Sequence, residues 1–291
     1  LRAFVIGNAA LDEIFEVDAL PRPGQSIFGR TGTRGLGGKG VNQAVMLGRA
    51  GVTTILAAPI GDDARGVTLR AALDREPVRR HPIDLDGVAT DTSIIVRAAD
   101  GDNTIITTRE AASALGTETA VGVLADAEAG DWLVLQGNLS LETTEALLAA
   151  AKDRDMLTAI NPSPLQPGYA ALWPLLDVVV VNEGEAEALG GAAAVLRAGV
   201  GQVVTTLGGA GSLLSDAAGS YAIPAVSADI VDTTGAGDCF MATALASTIL
   251  RGRRTLDEQA LEVAAAAAAI TVSRSGTVAA FPTAAEIGTL L

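Results

Sequence analysis

The sequence predicts an α/β fold in which a mostly parallel central sheet is flanked by helices. Two observations predict it. Short runs of consecutive apolar residues recur along the 291-residue chain, the pattern of strands buried on both faces. Helical stretches lie between most of these runs, and such alternation builds a parallel sheet covered by helices. In chain order, strands are expected at residues 3–6, 54–58, 132–136, 157–160, 178–181 and 203–207, with helices at 40–50, 64–73, 141–153, 183–189 and 239–250. Several strands end in polar groups: Asn161, Asn182, and the stretch from Thr206 to Gly208. Ligands of open α/β sheets bind beyond the carboxyl ends of strands, so these positions are expected to converge.

Two regions break the pattern. Residues 16–35 and 93–108 contain further β-like segments, including 93–96 and 104–107, with Asp100, Gly101, Asp102 and Asn103 as the expected hairpin turn. They are too far apart to form one local unit, and by themselves they read as extra strands. No internal repeat is present. The alanine run at 264–269 favours helix, and close helix packing accounts for it.

Length and composition point to one domain, residues 1–291, with a substantial core. A net charge of -14, with no Lys/Arg cluster larger than that at 251–254, argues against nucleic acid or an anionic membrane as a partner. One Cys and one His exclude an intrachain disulfide and an all-Cys/His zinc site. Cys239 reads as a small apolar residue, because its neighbour Asp238 would raise rather than lower the thiol pKa. His81, in the polar segment Arg79-Arg80-His81-Pro82, reads as a surface residue. The longest apolar run, 263–270, is too short to cross a bilayer, and residues 1–7 lack the features of a signal peptide. A cytoplasmic location is expected. The start at Leu1 suggests a trimmed or processed terminus.

The most informative segment is Asp232-Thr233-Thr234-Gly235-Ala236-Gly237-Asp238, two carboxylates around a glycine-containing turn that opens into an apolar helical run. The glycines admit turn conformations and let a ligand approach the main chain. The first unpaired N–H groups of the helix, at the positive end of its dipole, make an anion site. A carboxylate repels a phosphate. Asp238 beside such a cradle therefore makes most sense as the group that takes a proton from a hydroxyl attacking phosphorus. The plain alternative is an acidic residue favoured by the dipole in a first helical turn.

A second segment, Gly37-Gly38-Lys39-Gly40-Val41-Asn42-Gln43-Ala44, precedes an apolar helical run. Adjacent glycines expose N–H groups to a polyol, and Asn42 supplies both a donor and an acceptor for hydroxyls. Residues 35–40 also satisfy the G-x-G-x-x-G dinucleotide pattern, but that pattern needs a preceding strand and a tight turn, and residues 28–34 are polar and glycine-rich. No P-loop signature occurs.

Together these segments resemble the D-T-x-G-A-G-D and G-G-K-G-x-N-Q-A motifs of the ribokinase-like carbohydrate kinases, the phosphofructokinase B family. The resemblance covers nearly the whole chain and implies an ATP-dependent sugar kinase using Mg2+. It assigns Asp238 as the catalytic base, with the N–H groups of Gly235, Ala236 and Gly237 as the anion hole. Asp12, Gly38, Lys39 and Asn42 would contact the sugar, with Asn138 at a sugar-contacting position. Asn182-Glu183-Gly184-Glu185 is similar to the N-x-x-E motif, placing Asn182 near the triphosphate and Glu185 in the water network around Mg2+. Thr206, Gly208 and Gly211 match the T-L-G-x-x-G nucleotide loop. A K+ loop would run through Asp232, Thr234, Thr271, Arg274 and Gly276, mostly by main-chain carbonyls. Segments of about 13–35 and 92–109 would form a small β-sheet lid over the sugar and a homodimer contact.

Three positions depart from the pattern. Ala10 stands where a ribokinase has a sugar-binding Asn, Asn138 where it has a Glu, and Ala280 where a Ser ligand to K+ is expected. The leading substrate is a ribose-like pentose, followed by a nucleoside or another furanose or keto sugar. Two readings from other classes remain: a non-catalytic sugar-binding regulator, which would be expected to have lost Asp238 or the glycines, and a nicotinamide-dependent oxidoreductase, whose glycine fingerprint should follow the first strand.

Overall fold

A computed structural model of the chain describes residues 1–99 and 102–291. The turn expected at 100–103 includes Asp100 and Gly101, which lie outside the described residues. The chain opens with β1 (Arg2–Ile6), β2 (Ala10–Val17) and β3 (Arg30–Gly37), then α1 (Lys39–Arg49), β4 (Thr53–Gly61) and α2 (Ala64–Leu73). There follow β5 (Arg79–Leu85), β6 (Asp91–Ala98), β7 (Asn103–Thr107), α3 (Glu110–Ser113), α4 (Thr117–Gly122), β8 (Trp132–Gln136), α5 (Leu141–Lys152) and β9 (Leu157–Asn161). The last third carries β10 (Val178–Asn182), α6 (Glu183–Ala188), α7 (Ala192–Arg197), β11 (Gln202–Thr206), β12 (Ser212–Asp216) and β13 (Gly219–Ile223). Helices α8 (Ala236–Leu250), α9 (Glu258–Val272) and α10 (Ala284–Gly288) complete it.

The expected mostly parallel sheet is present, in the order β13-β12-β11-β10-β9-β8-β1-β4-β5. Its seven strands from β11 to β5 pair in parallel, whereas β12 and β13 turn back as an antiparallel edge. Alternate residues of each central strand enter opposite cores. Ala3, Val5, Trp132 and Val134 join α1, α8 and α9 on one face, while Phe4, Ile6, Leu133 and Leu135 join α5 on the other. Burial on both faces is why these strands read as unbroken apolar runs. The alanine run lies within α9, which packs on α8, as small side chains allow.

The two irregular regions assemble into a second sheet, β3-β2-β6-β7. Its central pair, β2 with β6, is parallel in continuous register from Ala10 opposite Asp91 to Val17 opposite Ala98. The polar, glycine-rich segment before Gly38 is a strand, contrary to its composition. Gly32 lets β3 close on Ile14, where a Cβ would sit 3.0 Å from the Ile14 carbonyl. Because β3 is antiparallel to β2 in this side sheet, the glycine pattern at 35–40 is not the first turn of a parallel βαβ unit, and the dinucleotide reading fails on topology. Among the described residues, no helix is long and apolar enough to cross a membrane.

Candidate active site

Helices α1 and α8 pack against each other, and their first turns bring the two glycine motifs together. Helix α8 begins at Ala236, three residues earlier than expected, so Asp238 lies inside its first turn and is only 6% exposed. Both carboxylate oxygens of Asp238 are held from α1. The Asn42 amide donates to Oδ2 and the Gln43 amide to Oδ1, each at 2.9 Å. The Gln43 carbonyl oxygen in turn accepts from the Gln136 amide at 2.8 Å, at the end of β8. A buried chain of amides therefore runs from the sheet to Asp238.

Asp12, on β2, lies close enough for the charge of Asp238 to act on it. Burial pushes its carboxyl up to about 6, and the neighbouring Asp238 adds to the rise, while hydrogen bonds from Thr277 and Ser93 oppose it. The Thr277 hydroxyl donates to Asp12 Oδ2 at 2.7 Å. A Cβ on Gly37 would fall on the Asp12 carboxylate, and one on Gly38 would come within 2.9 Å of the Ala10 nitrogen and the Asn8 carbonyl oxygen. Gly38 also has φ of 87°, in the left-handed region. The paired glycines thus have a structural cause: they let α1 begin against the segment from Asn8 to Asp12. Lys39, half-buried, makes no ion pair among the described residues. Three buried acceptors nearby in sequence and fold, Asn42 Oδ1, Gln136 Oε1 and Asn138 Oδ1, have no hydrogen-bond partner among the described residues.

Asn182 and Thr206 are direct neighbours at the carboxyl ends of β10 and β11. Asn182 and Glu185 form a capping box: Asn182 Oδ1 accepts from the Glu185 N–H at 2.8 Å, and Glu185 Oε2 from the Asn182 N–H at 3.0 Å. This gives the N-x-x-E spacing a structural role. The loop after β11 makes a single 3-10 turn at Gly208–Ala210. Gly208 and Gly211 both have positive φ, and a Cβ on Gly211 would collide with the Ile223 carbonyl oxygen.

At the start of α8, Gly235 has φ of 77° and no side chain caps the helix. The Ala236 N–H is engaged by the Thr233 carbonyl at 3.2 Å, whereas the N–H groups of Gly235, Gly237 and Asp238 meet no acceptor among the described residues. Asp232 fixes this loop. Its Oδ1 accepts from the Thr234 N–H (2.9 Å) and hydroxyl (2.7 Å), and its Oδ2 from the Gly276 N–H (3.1 Å). Burial opposes the charge, but these bonds and the nearby Arg97 hold the Asp232 carboxyl below the usual carboxylate range. Of the other residues of the expected cation loop, two have partners of their own, while the carbonyls of Thr234, Arg274 and Gly276 meet no donor among the described residues. The Thr271 carbonyl accepts from the Arg274 N–H at 3.1 Å, and the Arg274 guanidinium pairs with Glu286. Cys239 is fully buried, and burial, with Asp238 adding to it, pushes its thiol up to about 11, as its apolar reading requires. His81 is exposed on β5.

Gln43, Gln136, Thr277 and Arg97 were not singled out by sequence. Gln136 carried a usable signal, a polar residue closing an apolar strand like Asn161 and Asn182. Gln43 lay inside a recognised motif.

The side sheet, the nine-stranded sheet and the meeting of two glycine turns at a buried carboxylate define a ribokinase-like α/β architecture. Solved structures share it. A ribokinase from Thermotoga maritima is 27% identical, with a TM-score of 0.86 over 100% of this chain and 99% of that one. One from Cryptococcus neoformans, solved in complex with ADP, is 28% identical, with a TM-score of 0.84 and the same coverage. The ribokinase of Haemophilus influenzae is 30% identical over 295 residues, covering 97% of this chain and 95% of that protein. The pfkB family carbohydrate kinase model matches residues 2–284, and the chain belongs to that family.

Proposed function

We propose that the protein is an ATP-dependent sugar kinase that transfers the γ-phosphoryl group to a hydroxymethyl oxygen of a ribose-like sugar. The observation that carries this reading is the buried Asp238 carboxylate, gripped by Asn42 and Gln43 beside the unengaged N–H groups of Gly235 and Gly237. The sugar lies against Asp12, Gly38, Lys39, Asn42 and Asn138. The unpartnered acceptors Asn42 Oδ1, Gln136 Oε1 and Asn138 Oδ1 support a hydroxyl-bearing ligand, since each would otherwise cost about 1–3 kcal/mol.

In the reaction, Asp238 accepts the proton of the attacking hydroxyl as its oxygen bonds to the γ-phosphorus and the bond to ADP breaks. Gly235 and Gly237 donate to the charge that develops on the phosphoryl oxygens, helped by the α8 dipole. The Ala236 N–H, which closes the turn onto Thr233, fixes its two neighbours. The triphosphate lies along Asn182, Thr206, Gly208 and Gly211. Among the described residues no group of three or more His, Cys, Asp or Glu could hold a metal ion. This suits a Mg2+ ion that arrives on the nucleotide and keeps most of its waters. Glu185, with Oε1 unbonded among the described residues, would hold that ion through water, and when bound it neutralises phosphoryl charge.

Residues 1–291 act as one kinase domain, with the side sheet as the lid that excludes competing water. Exposed Ile94 and Ile106, opposite each other across β6 and β7, give one face of this sheet an apolar pair suited to a homodimer contact, which sedimentation tests. A cytoplasmic enzyme with no nucleic-acid or membrane partner fits the acidic charge. The named relatives favour ribose. A nucleoside or another furanose or keto sugar is the second reading, favoured by Ala10, whose methyl offers a hydroxyl nothing. The test is a coupled ADP-release assay with ATP and Mg2+ across pentoses, hexoses, keto sugars, sugar phosphates and nucleosides. The expected result is the highest kcat/KM with a ribose-like sugar. Silence across the panel, with no thermal shift by any member, would contradict the reading.

A further inference from the structure

The K+ loop implied by the family resemblance does not fit the residues present. An ionised carboxylate offers about four lone-pair positions. At Asp232 three accept from Thr234, twice, and Gly276, and the fourth faces the Arg97 guanidinium, whose Nη1 lies 3.5 Å from Oδ2. The Thr271 carbonyl already accepts from the Arg274 N–H, which leaves it one lone pair, and Ala280 brings a buried methyl where an oxygen was expected. The same guanidinium nitrogen donates to Ser275 Oγ at 2.9 Å, so Arg97 also grips the 274–276 side of the loop. Its other nitrogen donates to Glu16 at 2.9 Å, next to it across the β2–β6 pair.

We propose that the Arg97 guanidinium is the resident cation of this loop, taking the place of K+, and that the enzyme is independent of monovalent cations. Arg97 sits on β6 of the side sheet and Asp232 at the entrance to the α8 turn, so one side chain joins the lid to the loop that presents Gly235 and Gly237. Its charge balances Asp232 in a site only 8% exposed at the carboxylate, where a bare anion is costly. Its planar fork spans three oxygens at fixed angles, which a spherical ion held by loop carbonyls cannot do. Arg97 is a positioning residue: it touches no reacting atom and acts through the loop.

The inference rests on the kinase reading for its rate measurement but not for its stability measurement. Wild type and Arg97→Ala are compared in potassium chloride and in choline chloride at equal ionic strength, by thermal unfolding and by ADP release with the best acceptor. Wild type is expected to show the same Tm and rate in both salts. Arg97→Ala is expected to lose about tenfold in rate in choline, with K+ but not choline restoring part of the rate and raising Tm, as for a cation that binds the folded loop. Arg97→Lys, which keeps the charge without the fork, should be intermediate. A K+-selective rise in the Tm or rate of wild type overturns the proposal whatever the variants do. So does an Arg97→Ala protein as active as wild type in choline. If no acceptor supports turnover, the kinase reading fails, while the unfolding comparison still decides the role of Arg97.

Discussion

On the proposed sugar side of the site, Asp12, Asn42, Gln43 and Asp238 are buried, and nearly every polar atom is paired or waiting for a partner. On the proposed nucleotide side, Asn182, Gly208 and Gly209 are exposed, and what is offered is main chain shaped by glycine and by a capping box. The difference teaches where selectivity resides. Buried acceptors reject a ligand that leaves them unpaired, whereas an open nest of N–H groups grips any phosphate chain of the right length. The acceptor side should thus be intolerant of substitution and the nucleotide side forgiving.

Four substitutions sharpen that contrast, in descending order of expected effect. Gly37→Ala drives a methyl into the Asp12 carboxylate and should raise the sugar KM by about a hundredfold or more, as displacements of about 1 Å do, with the ATP KM little changed; equal loss for both substrates would erase the contrast.

Asp12→Asn should raise the sugar KM by about tenfold to a hundredfold, the loss of one charged acceptor, yet stabilise the fold at neutral pH. The Asp12 carboxyl is raised to about 6 from 3.8, so the folded state binds this proton more tightly than the unfolded one. Its contribution is most favourable below pH 3.8, is lost as pH rises through the window up to 6, and leaves a cost of about 3 kcal/mol above it. The urea midpoint of the variant should therefore exceed that of wild type at pH 7.5, by a margin that shrinks towards pH 4.

Gln43→Leu unpairs Asp238 Oδ1 and the Gln136 amide. About 1–3 kcal/mol of lost hydrogen bonding should appear mainly in kcat, with the sugar KM little changed. An unchanged kcat would reduce Gln43 to a packing role.

Gly208→Ala, on the nucleotide side, meets no atom within 4 Å and only has to hold φ of 57°. The expected cost is about 1–2 kcal/mol of strain, read as a modest rise in the ATP KM.

Most of the central sheet could be read from the sequence because strands buried on both faces carry unbroken apolar runs. The strands that could not be read are those whose burial is partial. β5 contains Pro82 and three charged residues, which an edge strand tolerates. β12 and β13 are short and half-polar, and β3 owes its place to glycines that approach β2 closely. At the site, glycines and carboxylates stood out because few structural roles need them at that spacing. Gln43 did not, since a buried amide in an apolar helix declares its purpose only when its partner, 195 residues away, is placed beside it. Arg97 was hidden for the same reason, its partner Asp232 lying 135 residues on.

The central claim is that Asp238 takes the proton of the attacking hydroxyl. Asp238→Asn keeps the shape and one acceptor oxygen, so calorimetry should find sugar and ATP bound with near wild-type affinity. Turnover in the ADP-release assay should fall by about 10²–10⁴-fold, the range for loss of a general base. Near-normal turnover with intact binding would contradict the account.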